Sequence, residues 1–423
     1  LNGGFGGGAV PGSVGGFGSG GGSYGAAGGG GGYSGGGGGG AWTSNSSHGS
    51  NEYAGGGGGS YKSGSNSEWL GGYNLGHGKI VIGPPESFGD SDDNDSDLLT
   101  FNNCGKTGRN GPTQAQITSS YNNTDLAGDV TSTSNNGIQI WSVPVTGNYT
   151  IKAAGAKGGN GATYAVGDPG LGAYMEGVFY LTKDTKLYIL VGQQGSYTSY
   201  SSYYGGGGGG GTFVSKGTGK GQGFANSEAL IVAGGGGGGG YNSGTSTQGQ
   251  TTENGSAGST YGSGYYPAGK AGTNGNGSTG SPNSRSKLGG SGGGFKSNGS
   301  GNYNYYSENA KGFKQGGQGG DGRYGNEEAI KKIIQISVAH KVKKIIIPVN
   351  GILSTPAASN LIRKKNAFAG IILSASHNPG GINGDFGVKV NISNGGPAPE
   401  KFTDKVFKCS QILTNYKFYD AEI

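Results

Sequence analysis

The residues best equipped for chemistry lie in one short run, Ser374-Ala375-Ser376-His377-Asn378-Pro379-Gly380-Gly381. It offers two hydroxyls, an imidazole beside one of them, and glycines whose bare backbone lets N–H groups close on an anion. A serine next to a histidine in such a loop is a candidate nucleophile. The same residues also make an ordinary polar turn, and on their own they leave both readings open.

The elements that must hold this loop follow from pattern. After Asn326, residues Ala329, Ile330, Ile333, Ile334 and Ser337 recur at helical spacing. Ile345 to Ile347 read as a buried strand, and Ser354 or Thr355 before Pro356 opens a helix that runs to Ala367. Gly370–Leu373 and Gly387–Val390 are apolar strands, and Pro399–Leu413 is a further helix. Strands alternating with helices predict right-handed crossovers and a mixed, mainly parallel sheet. In such sheets chemistry gathers beyond the carboxyl ends of the strands, where the Ser376 loop falls.

With these motifs in view, the stretch resembles the first domain of phosphoglucomutases, an α/β/α phosphohexomutase domain. The similarity rests on "GGDGRY" (319–324), "NGILSTPA" (350–357), "AGIILSASHNPGG" (369–381), "NGDFGVK" (383–389) and "NGGPAPEKFTDK" (394–405). The resemblance implies that Ser376 is the phosphoserine, exchanging its phosphoryl group with glucose 1-phosphate and glucose 6-phosphate through a bisphosphate. It implies that Ser376 is also a ligand of Mg²⁺, that His377 and Lys389 position the phosphate and assist proton transfer, and that Ser374, Asn378, Gly380 and Gly381 line the phosphate site. Ser374 stands where the family usually has Thr. The family's opening Gly-Thr-Ser-Gly-Leu-Arg segment, Asp-x-Asp-x-Asp metal loop, Gly-Glu-x-Ser sugar loop and distal phosphate loop have no counterpart here. A truncated domain of this kind is expected to be inactive alone.

The rest of the sequence is of another kind. Of 423 residues, 104 are glycine and only 31% are hydrophobic, so most of the chain cannot bury an ordinary core. Residues 1–318 carry 16 Lys+Arg against 16 Asp+Glu, whereas 319–423 carry 14 against 8 and hold the whole excess of +6. Arg109 and Arg285 are the only arginines before residue 319, which argues against an arginine-rich nucleic-acid binder. Cys104 and Cys409 form neither a disulfide framework nor a metal pattern. No apolar run approaches the roughly 20 residues a membrane helix needs. The start at Leu1 reads as an internal fragment.

Runs such as Gly28 to Gly32, Gly205 to Gly211 and Gly234 to Gly240 can stay disordered or form extended threefold helices that hydrogen-bond side by side. Between them, Gly137–Trp141, Tyr149–Ala154, Ala173–Leu181, Leu187–Val191 and Ala229–Val232 read as strands of a small β sandwich. "FNNCGKTGRNGPTQAQ" (101–116), "GIQIWSVPVTGNYTIKAAGAKGGNG" (137–161), "LYILVGQQG" (187–195), "GGGGGGGTFV" and "LIVAGGGGGGG" resemble the extracellular glycine-rich domain of anaplastic lymphoma kinase and leukocyte tyrosine kinase receptors. That resemblance implies a TNF-like sandwich with polyglycine helices and a protein ligand outside the cell. The family has a cysteine where this chain has Ile117, which leaves Cys104 without that partner.

The expected organisation is thus 1–82 as the tail of a first glycine-rich module closing on the strand Gly76–Ile82, 83–98 as an acidic linker, 99–318 as a second glycine-rich β module, and 319–423 as part of a phosphoglucomutase domain. Asn-x-Ser/Thr triplets at Asn45, Asn122, Asn148, Asn254, Asn276 and Asn298 suit an extracellular module, and the mutase part a cytoplasmic one. The join at "GGQGGDGRY" fits either a fusion of domains or a chimaeric gene.

Overall fold

The computed structural model describes residues 13–23, 26–39, 54–65, 68–83, 98–133, 137–161, 168–196, 205–218, 223–240, 247–259, 268–280, 290–300, 309–319, 326–348, 353–374 and 387–419. The chain divides into two compact units, Pro11–Arg323 and Leu1–Val10 with Tyr324–Ile423.

The glycine-rich unit holds strands β1 (Tyr61–Lys62), β2 (Trp69–Asn74), β3 (Lys79–Gly83) and β4 (Leu99–Phe101), helix α1 (Gln114–Tyr121), then β5 (Thr131–Ser132), β6 (Gln139–Ser142), β7 (Gly147–Ala154), β8 (Gly172–Leu181), β9 (Lys186–Leu190), β10 (Thr212–Lys216) and β11 (Glu228–Ala233). They form two antiparallel sheets, ordered β1-β11-β10-β9-β6-β5 and β2-β8-β7-β3-β4. In β8, Ala173, Met175, Phe179 and Leu181 are buried while Tyr174, Glu176, Val178 and Tyr180 face outward, the period-2 pattern of a sheet with one wet face. The buried residues of both sheets share one core, in which the Trp141 ring stands edge-on to Phe101 and Tyr149 at 6.2 and 6.3 Å. Tyr149 satisfies its hydroxyl by donating to the Val145 carbonyl at 2.7 Å. Cys104 and Ile117 are both buried in this core, and burial pushes the Cys104 thiol up.

The strand expectations for β3, β6, β7, β8, β9 and β11 hold to within a few residues, whereas β1, β2, β4, β5 and β10 are not among the expected strands. The separation of 1–82 from 99–318 does not hold. Strand β3 is laddered to β7 and β4, β1 to β11, and β2 to β8, so both stretches build the same two sheets. A closing strand needs a neighbour for its backbone groups, and β7 supplies it within this unit.

The described glycine runs take the ordered alternative. Gly28 and Gly31 donate to Gly206 and Gly209, while Gly29 donates to Gly290 and Gly30 to Gly56. In the same way Gly235 and Gly238 donate to Gly31 and Gly28, Gly236 and Gly239 to Ala156 and Gly159, and Gly237 to Thr247. Every third amide thus faces the same neighbour. That is the signature of a threefold extended helix, which has no internal hydrogen bonds and must find partners sideways. The runs continue the strands, since 155–161 follows β7, 191–196 follows β9, 205–211 leads into β10 and 234–240 leaves β11. The bundle is pinned by Phe17, Phe295 and Phe313, which pack with Tyr188, Leu190, Phe213 and Val232 on the outer face of the six-stranded sheet. Phe313 stacks on Phe213 and on Phe295, each at 5.1 Å.

Space explains the composition. A methyl built on Gly29 would overlap the Gly36 carbonyl, and one on Gly208 the Gly29 carbonyl. Gly29→Ala is therefore expected to destabilise the unit by about 1–3 kcal/mol through overpacking. Gly76→Ala, which meets nothing within 4 Å, should stay within about 0.5 kcal/mol of the parent; denaturant unfolding of the two variants compares them.

His77 gives the unit a pH dependence. Its Nδ1 accepts the Gln194 N–H at 3.0 Å, and burial holds its pKa below the ordinary 6.5. The fold favours the neutral ring, so the unfolded chain binds more protons just below 6.5. This contribution is complete above 6.5, falls as pH descends from there to the folded pKa, and is constant below it. His77→Leu should flatten that part of a melting-temperature profile.

Candidate active site

The C-terminal unit holds α2 (Asn326–Ala339), α3 (Thr355–Lys364), β12 (Ala369–Ser374), β13 (Gly387–Ile392) and α4 (Glu400–Ile412). Helix α3 starts as its residues dictate, with the Ser354 hydroxyl accepting the Ala357 N–H at 3.3 Å and a proline in the first turn. It ends on Arg363 and Lys364, cations placed at the negative end of the helix. Ile362 on α3 is buried and packs on β12, where a Cβ added to Gly370 would lie 2.6 Å from Ile362 Cδ1. Glycine at 370 is what lets helix and strand approach. Past α4 the chain returns to α2, where the Tyr419 N–H donates to the Gln335 carbonyl and Lys332 Nζ lies 5.4 Å from the Phe418 ring centre.

Strands β12 and β13 are antiparallel, with Gly370 opposite Asn391, Ile372 opposite Lys389 and Ser374 opposite Gly387. This corrects the expected mainly parallel sheet, for every sheet among the described residues is antiparallel. A parallel return needs a crossover of about a dozen residues or more, usually a helix. The residues between β12 and β13 include Pro379, Gly380, Gly381 and Gly384, which disfavour a helix. Nor do Ile345 to Ile347 form the expected buried strand. They are 37–45% exposed and pair with no described strand.

The ladder fixes where the chemistry-bearing loop begins and ends. Ser374 closes β12 and Gly387 opens β13 directly across from it. Ser376, His377, Asn378, Gly380 and Gly381 lie outside the described residues, as does the side chain of Ser374. Lys389 is described and exposed, two residues into β13 and on the same face of the hairpin as Asn391.

Asn391 is the residue that sequence reading missed. It is 6% exposed, and its Nδ2 donates to Ser359 Oγ on α3 at 3.1 Å and to the Gly395 carbonyl at 2.9 Å. One side chain therefore ties β13 to α3 and to the turn that follows. That turn is built for the purpose. Gly395 has φ +81°, Asn394 Oδ1 accepts the Gly396 N–H at 2.8 Å, and Arg363 Nη1 lies 3.4 Å from the Asn394 carbonyl it donates to. An amide inside the apolar run "VKVNI" was the available signal.

Among the described residues no grouping of His, Cys, Asp or Glu could hold a metal ion. The Mg²⁺ implied by resemblance finds no ligand set there.

With the hairpin and its loop ends placed, comparison with known proteins becomes informative. A family model described as phosphoglucomutase/phosphomannomutase, alpha/beta/alpha domain I, matches residues 305–417. The C-terminal region is a match to that domain. Similar curated proteins are the phosphoglucomutase of Aspergillus fumigatus, 63% identical over 105 residues, and that of Emericella nidulans, 60% over 102 residues. These cover 25% and 24% of this chain and 19% and 18% of the relatives. Human phosphoglucomutase-1 is 59% identical over 98 residues, 23% of this chain and 17% of its own length. The chain thus spans about a fifth of the length of the curated relatives it matches. The match begins ahead of the unit boundary. Within it, Gly317 accepts the Gly18 and Ser19 amides and Gly319 donates to Arg109, so these glycines serve the glycine-rich unit.

Removing the Asn391 side chain leaves Ser359 Oγ and the Gly395 carbonyl without this donor. Asn391→Leu is expected to cost about 1–3 kcal/mol and Ser359→Ala about 0.5–1.5 kcal/mol. Amide hydrogen exchange along β13 should accelerate in the same order.

Proposed function

We propose that the C-terminal region is the phosphoserine part of a phosphoglucomutase-type phosphoryl transfer, with Ser376 as the carrier, in an active site that this truncated stretch does not complete alone. In this reading phospho-Ser376 gives its phosphoryl group to the 6-hydroxyl of glucose 1-phosphate. The P–Oγ bond breaks, a P–O6 bond forms, and the hydroxyl proton leaves to a base. The resulting bisphosphate returns its other phosphoryl group from O1 to Ser376 Oγ and departs as glucose 6-phosphate. His377 and Lys389 hold the phosphate and help move the proton, while Ser374, Asn378, Gly380 and Gly381 shape the phosphate site. A divalent cation, Mg²⁺ by resemblance, would offset charge on the transferring group.

The observation that carries this reading is the β12–β13 ladder, which joins both ends of the Ser-His loop and sets Lys389 on the strand leaving it. A loop closed at its base loses little entropy when it binds an anion, and positioning supplies much of the rate in phosphoryl transfer.

The glycine-rich unit supports a second, separate reading as an extracellular ligand-binding or structural module. What supports this reading is the pair of antiparallel sheets joined to threefold glycine segments.

The test of the mutase reading is to mix the full chain with a phosphoglucomutase fragment that supplies the missing domains, incubate both with labelled glucose 1,6-bisphosphate, and map the label by mass spectrometry. Label should appear on Ser376, vanish in Ser376→Ala, and fall with chelation. Lys389→Met should slow its appearance by about 10²-fold or more. Equal labelling of the parent and Ser376→Ala would sink the assignment.

A further inference from the structure

The Asn-x-Ser/Thr triplets are not absorbed by any of this, and the structure sorts them. Asn122, Asn148, Asn254, Asn276 and Asn298 are all exposed. Two of these are engaged, since Asn276 Nδ2 donates to the Thr273 carbonyl at 3.2 Å and Asn298 Oδ1 accepts the Gly312 N–H at 2.9 Å. These two also crowd each other, because a Cβ on Gly277, next to Asn276, would meet the Asn298 carbonyl carbon and oxygen. Asn122 caps the C-terminal end of α1, Asn148 is the second residue of β7, and Asn254 lies in a bend of the glycine-rich unit. The sequence also holds two further triplets, Asn94-Asp95-Ser96, which like the Asn45 triplet lies outside the described residues, and Asn391-Ile392-Ser393.

Asn148 has a feature that a bare loop asparagine lacks. The ladder sets it directly opposite Tyr180, whose ring is 70% exposed on the outer face of the sheet. An exposed ring beside an amide nitrogen is a platform on which the apolar face of a first sugar can lie. Cross-strand neighbours of this kind sit about 4.5–5.5 Å apart at Cβ, within reach of such a stack.

We infer that Asn122, Asn148 and Asn254 are acceptors of N-linked oligosaccharide, with the Asn148 glycan resting on Tyr180. The donor is a lipid diphosphate-linked oligosaccharide, delivered by a membrane transferase in a secretory lumen. The Nδ2–C1 bond forms as the bond from C1 to the diphosphate oxygen breaks, the lipid diphosphate leaves, and the amide gives up one proton. At these three positions the finished fold accommodates the addition.

Asn391 is the opposite case. Both Nδ2 bonds are spent, to Ser359 and Gly395, in a site 6% exposed. A sugar there removes one donor and cannot enter, so modification at Asn391 is incompatible with the hairpin. The two units therefore make opposite demands on a lumenal chain. This inference does not rest on the Ser376 reading.

The test directs the full chain, behind a cleavable secretion leader, into the lumen of cultured eukaryotic cells. Glycosidase release in ¹⁸O water then marks each occupied asparagine as labelled aspartate. Label is expected at Asn122, Asn148 and Asn254, with Asn276 and Asn298 lower, and Asn148→Gln should remove one glycan from the gel shift. Tyr180→Ala should leave Asn148 occupied yet raise the rate at which glycosidase removes its sugar from the folded protein. Ser393→Ala abolishes the Asn391 triplet without touching its hydrogen bonds, and should restore protease resistance to β12–β13 if the parent loses it. Absence of label at the three sites in both the parent and Ser393→Ala overturns the inference, as does preferential label at Asn276 and Asn298.

Discussion

In the glycine segments the place a side chain would occupy is already taken by a neighbour's carbonyl. The Gly29 amide reaches Gly290, and the space over its Cα belongs to Gly36. Much of the larger unit depends on that exclusion. Threefold helices carry no internal hydrogen bonds, so a single one in water gains nothing over a disordered chain. Packed in contact they satisfy each other's backbone in three directions, and the contact is short enough only without Cβ. The entropy glycine loses on ordering is offset by a lattice of lateral bonds rather than by hydrophobic burial.

The sandwich supplies what that lattice cannot, which is a starting register. Strands β7, β9, β10 and β11 run into or out of glycine segments without a break, so strand pairing fixes where each segment begins. Phe17, Phe295 and Phe313 then anchor the bundle to the sheet's outer face. In the smaller unit the ordering device is polar instead. Asn391 joins a strand, a helix and a turn, and the hairpin it holds delivers both ends of the Ser376 loop.

Strand patterning was legible wherever one face is wet and the other buried, as in β8. It failed for β2, whose "WLGGYN" is mostly exposed and lacks alternation. The glycine runs could be read two ways from composition because what orders them is partners remote in sequence, such as Gly28 with Gly206. Parallel topology was inferred from alternation of strands and helices, yet β12 and β13 pair antiparallel, Ser374 directly across from Gly387. Of the candidate site, the Ser-His loop and Lys389 were visible as residue types. Asn391 was not, because its role is defined by burial against Ser359 and Gly395 rather than by any motif.

The threefold repeat of the bundle has a consequence for how such a sequence can drift. With three residues per turn, adding or deleting three glycines slides a segment by one turn and leaves each remaining amide aimed at the same neighbour. Adding or deleting one or two turns every later amide by about 120° or 240° toward the wrong neighbour. The runs therefore behave like a coding frame written in backbone geometry. Their length is free to change in triplets, and slippage in a repetitive gene is silent or disruptive according to its remainder on division by three.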